Sequence, residues 1–152
     1  MISEQRLCGL NGYHHRSGPW DTNRRTSDAS SAVAIGDALT TASGSLDVLV
    51  TTEAQTGVGL EAKTAADTAT TALLFLKSIG SRTSFTAETK TNSLATTEVG
   101  LLLPLSGTTG AMGIDATDGA GDDFYVDQVL STGTSGLAVV KFASPEYLDV
   151  VN

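Results

Sequence analysis

The feature that most constrains this chain is its punctuation. From Ser31 onward, short alternating apolar runs recur, and each is closed within about ten residues by a Gly, Ser or Asp turn. The runs are "AVAIGDAL", with Val33 and Ile35 in alternation; "LDVLVT", with Leu46, Val48 and Val50 on one face; "GVGLEAK"; "RTSFTAE"; "FYVDQVL"; and "LAVVKF". A period of two puts successive side chains on opposite faces of a strand. Many short strands at even spacing predict an all-β chain, a small β-barrel or β-sandwich of antiparallel strands. In "FYVDQVL" the alternation runs through Phe124 and Val126 and then slips before Val129. "STGTSG" is a turn, Pro145 ends "LAVVKF", and "EYLDVVN" is apolar enough to dock on the body. Residues 31–152 are expected to form this domain.

The stretch 64–80, "TAADTATTALLFLKSIG", is ambiguous. Ala66, Ala69, Leu73 and Leu76 fit one face of a helix. Its many threonines would crowd a helix, and "LLFLK" is short, so a strand is favoured and a helix is the alternative.

Residues 1–30 differ from the rest of the chain. They hold both histidines, the only tryptophan and four of the nine basic residues, and glycines at 9, 12 and 18 interrupt any period. They are predicted to form an extended, irregular N-terminal arm. Large side chains such as Leu7, Leu10, Tyr13 and Trp20 are costly to leave in water, so the arm should dock, either on its own domain or on a partner chain.

The chain has 152 residues, enough to bury a core without staples. Only 17% of residues are charged; Thr, Ser, Ala and Gly fill the deficit, which suits a polar, uncharged surface packed against neighbours. The net charge of −8 argues against nucleic acid and anionic membrane as partners. It is uneven, +1 over residues 1–30 and −9 over the rest. One cysteine, Cys8, makes no internal disulfide, and "MISEQRLCGLNG" lacks the run of a signal peptide, so synthesis in a cytoplasm is expected.

Chemistry is hard to find. "GVGLEA" matches a relaxed dinucleotide fingerprint, but no helix of adequate length comes after it to receive a pyrophosphate. "GIDATDGAGDDFYVDQV" holds four acids between Asp115 and Asp123. Counted from Asp115 it fails the EF-hand spacing, with Ala at position six and Val126 at position twelve. A different calcium site on Asp118, Asp122 and Asp123 is the minor reading; a strand end at Ile114, a soluble loop and a return strand from Phe124 is the major one. Adjacent His14 and His15 chelate poorly, and Cys8 lacks a clustered base. A catalytic triad would have to recruit a histidine from the arm. No enzyme, catalytic residue, cofactor or metal is expected.

The order of pieces carries a resemblance. "AIGDAL", "VGLEAK", "LLFLKSI", "FTAET", "VGLLLPL", "GIDATDG", an aromatic strand and "LAVVKF" succeed one another over residues 33–143. This arrangement resembles the small β-rich capsid decoration, or cement, proteins of tailed bacteriophages; the arm lies outside it. The resemblance implies a structural virion protein on the capsid exterior, a homotrimer, clamping neighbouring major capsid subunits. On that reading Leu10, Tyr13, Arg16, Trp20, Arg24 and Arg25 form the interface, since aromatics and arginines lead among hot spots. The alternatives are another virion component, such as a head-fibre base or tail subunit, and a carbohydrate-binding β-module. The low aromatic content, 5%, ranks the sugar module last.

Overall fold

The computed structural model describes residues 11–19, 21–28, 30–50, 53–67, 72–79, 82–117 and 123–145. Among these residues the chain is almost all β. Its strands are β1 (His14–Ser17), β2 (Thr22–Thr26), β3 (Ala38–Ala42), β4 (Ser45–Val48), β5 (Gly57–Gly59), β6 (Ala72–Lys77), β7 (Ser84–Thr91), β8 (Leu102–Leu103), β9 (Leu105–Ser106), β10 (Gly113–Asp115), β11 (Phe124–Ser131) and β12 (Leu137–Phe142). A 3-10 turn at Thr96–Glu98 is held by the Glu98 carboxylate, which accepts from the Ala95 N–H at 2.8 Å.

Seven strands make the larger sheet, in the order β8-β11-β12-β7-β10-β9 with β1 also on β7. Only Pro104 separates β8 from β9. That bent segment pairs with β11 at one end, Leu103 opposite Phe124, and with β10 at the other, Leu105 opposite Ile114. The two ends of the sheet are therefore neighbours along the chain, and the sheet nearly closes into a barrel. Proline suits the corner because it has no N–H to offer a ladder.

One side of β7 is shared. β1 covers its first half, with His14 opposite Thr86, and β10 its second, with Ile114 opposite Thr89. The β7–β10 pair is parallel, unlike the antiparallel pairing expected. A parallel neighbour requires a long crossover, and residues 92–112 supply it by way of the 3-10 turn, β8 and β9.

The smaller sheet runs β2-β6-β5-β3-β4. Its edges approach each other at a Ser27–Leu46 bridge, where the Asp28 N–H donates to the Leu46 carbonyl at 2.8 Å. Both of its faces are buried. Ala38, Val58 and Leu76 join the main core with Phe85, Phe124, Phe142, Ile114 and Val140. Leu39, Leu46, Leu73 and Phe75 form a second core with Val33. A strand buried on both faces reads as a continuous apolar run, which accounts for "LLFLK" and settles it as strand β6.

Of the two docking alternatives for the arm, the described part of residues 1–30 takes the first, packing on its own domain, and does so as regular strands and not as irregular chain: β1 lies in the larger sheet and β2 in the smaller. Val50, read as sharing a face with Leu46 and Val48, is 63% exposed, because after Val48 the chain leaves the strand and buries Leu49 instead; Ile35, read as alternating with Val33, is 62% exposed. β11 does not return onto β10 but pairs with β12 and β8. The slip read in "FYVDQVL" is a register shift between Val126 and Gln128. The C-terminal "EYLDVVN" lies outside the described residues.

Gly113 shows how tightly β10 lies on β7. A Cβ there would sit 2.1 Å from the Glu88 carbonyl oxygen and 2.8 Å from Lys90 Cγ. Gly113→Ala should lower stability by about 2 kcal/mol through overpacking. In urea this appears as a lower midpoint with an unchanged slope.

Candidate functional site

The residues read as an interface separate into three groups. Leu10 and Trp20 lie outside the described residues, as do Cys8, Asp118 and Asp122. Tyr13 is 1% exposed, so its side chain is unavailable to a partner. It stacks on Phe124 with ring centroids 4.7 Å apart and meets Phe142 edge-on at 6.0 Å. Its hydroxyl donates to the Gly113 carbonyl at 2.5 Å. Burial, with the nearby Asp123 and Asp37, pushes its phenol well above the usual value, so it stays a neutral donor.

The arginines differ among themselves. Arg24 holds Glu61 in a two-point bridge, 2.9 and 2.8 Å. Bonding to Arg24 keeps the Glu61 carboxyl below the usual range. Arg25 lies 5.6 Å over the Phe75 ring and donates to Thr41, so it helps to close the smaller sheet. Arg16, on β1, is exposed. Arg24 is exposed as well, with its guanidinium engaged by Glu61.

Beside β1 a cavity of about 100 Å³ opens between the sheets, lined in part by His14, His15, Ile35, Leu60, Leu76 and Phe85. It is well below the volume of a small-molecule site. The histidines bond to backbone oxygens, His14 Nε2 to Asn11 at 2.9 Å and His15 Nε2 to Gly18 at 3.1 Å. Among the described residues no three His, Cys, Asp or Glu side chains gather as metal ligands. "GVGLEA" is strand β5 followed by turns, not a helix start.

The acids near the opening of "GIDATDG" are engaged in folding. Asp115 accepts from Asn92 Nδ2 at 2.8 Å and from the Thr117 N–H at 2.9 Å. Partial burial works to raise its pKa, but these bonds prevail and hold it low. Asp123 is fully buried and accepts from the Leu105 N–H at 2.9 Å, beside the Pro104 corner.

Two features escaped the sequence. Leu102 and Tyr125 face each other across β8 and β11 and are 41% and 40% exposed, an apolar pair on the outer surface. Their alternation was visible, but which face met solvent depended on pairing. The second is a cluster of Asn11, Glu88 and Lys90, which no local spacing announces because Asn11 is 79 positions from Lys90.

No family model, no curated protein and no solved structure matches this chain.

Proposed function

We propose that this chain is a structural virion protein that binds the outer surface of an icosahedral capsid and cements neighbouring major capsid subunits. The observation that carries the reading is the exposed Leu102–Tyr125 pair, directly opposite each other across β8 and β11, on a β body that is poor in charge and also exposes Ile35, Val50 and Val99. An aromatic and an aliphatic side chain left together in water suit an interface core, and the uncharged rim around them tolerates close packing. Arg16 adds a cation on β1. The order of sequence segments, which resembles that of phage decoration proteins, supports the same reading. A clip that binds the expanded lattice and not its precursor stabilises the former by mass action. Self-association as a trimer would present three such clips at once, and avidity would multiply weak contacts.

Tyr125→Asp is expected to reduce occupancy on the particle at least tenfold while leaving the melting curve in place, because the side chain is not in the core. Trp20→Ala should weaken attachment in the same sense. The deciding measurement is the number of copies of this chain per major capsid protein in purified particles, by quantitative mass spectrometry. A ratio near one supports lattice-wide decoration. A few copies per particle would point to a tail or fibre component, and absence from particles would overturn the virion reading in favour of the sugar-binding module.

A further inference from the structure

We propose that Lys90 and Asn11 form an intramolecular isopeptide bond, with Glu88 moving the protons. Lys90 already touches both of the other groups that such a bond requires. Lys90 Nζ donates to Asn11 Oδ1 at 2.9 Å and to Glu88 Oε1 at 3.3 Å. Glu88 is 4% exposed, and its side chain and that of Lys90 are largely withdrawn from water.

Positioning comes from the backbone. Lys90 and Glu88 are two apart on β7 and so project from the same face of that strand. The Lys90 stem lies over Gly113, where a Cβ would be 2.8 Å from its Cγ, so the missing side chain makes room for the stem. Asn11 is held from both sides. The Gly12 N–H donates to the Met112 carbonyl at 2.8 Å, and the Asn11 carbonyl is bonded to His14. Neither partner has to search for the other, and a held pair of reactants gains the advantage of proximity.

The reaction balances without an outside reagent. Glu88 removes a proton from the Lys90 ammonium, which leaves the amine lone pair free. That pair attacks the Asn11 side-chain carbonyl carbon and forms the C–N bond. Glu88 then passes that proton to the Asn11 amide nitrogen, the original C–N bond breaks, and the nitrogen leaves as ammonia, which takes up the second proton shed by the Lys90 nitrogen and departs as ammonium. Lysine ammonium and asparagine amide become a secondary amide and ammonium, and Glu88 ends as it began. The hydrogen bond from Nζ to the Asn11 side-chain oxygen already places the nitrogen beside the carbonyl group it attacks.

One competing reaction gives the same mass change. Asn11 precedes Gly12, and attack of the Gly12 nitrogen on the Asn11 side chain would form a succinimide, also with loss of ammonia. Here that N–H is occupied by Met112.

The test is the intact mass of the folded full chain, measured under denaturing conditions after incubation at neutral pH, followed by peptide mapping. The proposal expects a chain lighter by one ammonia and a branched peptide joining Asn11 to Lys90. Lys90→Arg and Asn11→Ala, both outside the core, should each restore the full mass. Glu88→Gln should slow bond formation by about 10²-fold or more. A wild-type chain at its unmodified mass would overturn the proposal. So would ammonia loss that persists in Lys90→Arg, since that places the change at the Asn11–Gly12 succinimide. The Lys90 and Asn11 variants decide the matter even if Glu88→Gln fails to fold.

Discussion

Tyr13→Ala is expected to lower stability by about 4 kcal/mol, the range for removing a large aromatic from a packed core. The ring is 1% exposed and lies within an aromatic cluster: Phe124 stacks on it, Phe142 meets its edge, and Phe85 stacks on Phe142 at 5.0 Å. Truncation leaves a ring-sized void against two buried aromatics, Phe124 and Phe142, in a sheet that cannot collapse around it, because β1 is held to β7 by its ladder. It also strands the Gly113 carbonyl. For a domain of this size the melting temperature should fall by on the order of 15 °C. Tyr13→Phe separates the two contributions. It keeps the ring and removes the hydroxyl, so it should cost about 1–2 kcal/mol, the penalty for an unpaired buried acceptor. A Tyr13→Ala protein as stable as wild type would mean that the ring belongs to a partner's surface, as the sequence suggested, and not to this core.

That residue also shows how far the sequence could be read. The all-β class was legible because period-two alternation and turn residues survive in the core strands. β11 shows the alternation most clearly, with Phe124 and Val126 buried on either side of exposed Tyr125, while β12 was legible as a continuous buried run from Leu137 to Val140. Strands β1 and β2 were not legible. Their residues are mostly exposed, so their side chains carry no apolar alternation, and they are strands only because their backbones pair with β7 and β6. A four-residue strand bounded by glycines looks like irregular chain until its partner is known. The same limit applies to function. Arg24 and Arg25 looked like anchors for a partner, yet their partners Glu61, Thr41 and Phe75 belong to the same chain, brought near by β6 and β3. Asn11, Glu88 and Lys90 met only through the β7–β10 pairing and the Gly12 contact, both of them long-range.

Asp37→Ala is expected to cost about 3 kcal/mol, because it strips acceptors from two backbone donors at once. The carboxylate is fully buried. One oxygen accepts from the Ala34 N–H at 2.9 Å and closes the turn before β3. The other accepts from the Gly110 N–H at 2.9 Å, 73 residues away in the turn before β10. A single side chain thus ties a turn of the smaller sheet to one of the larger. Burial raises its pKa and outweighs the two N–H bonds, which work to lower it. A raised folded pKa fixes the sign: the contribution is fully present below the unfolded value of about 4 and is lost as pH climbs through the folded value. Asp21, Asp28, Glu61 and Asp115 do the reverse, since hydrogen bonds hold each of them low; their contribution is present above about pH 4 and lost as pH falls through their folded values. Asp37→Asn isolates the first effect. It removes the charge, keeps one acceptor and turns a donor toward the other N–H, so it should be destabilising at every pH. The gap between wild type and Asp37→Asn, read from urea midpoints, should narrow as pH rises from about 4 to 7, because only wild type bears the growing cost of a buried charge. A gap that widens with pH would mean that the two N–H bonds outweigh desolvation and that the fold prefers Asp37 ionised.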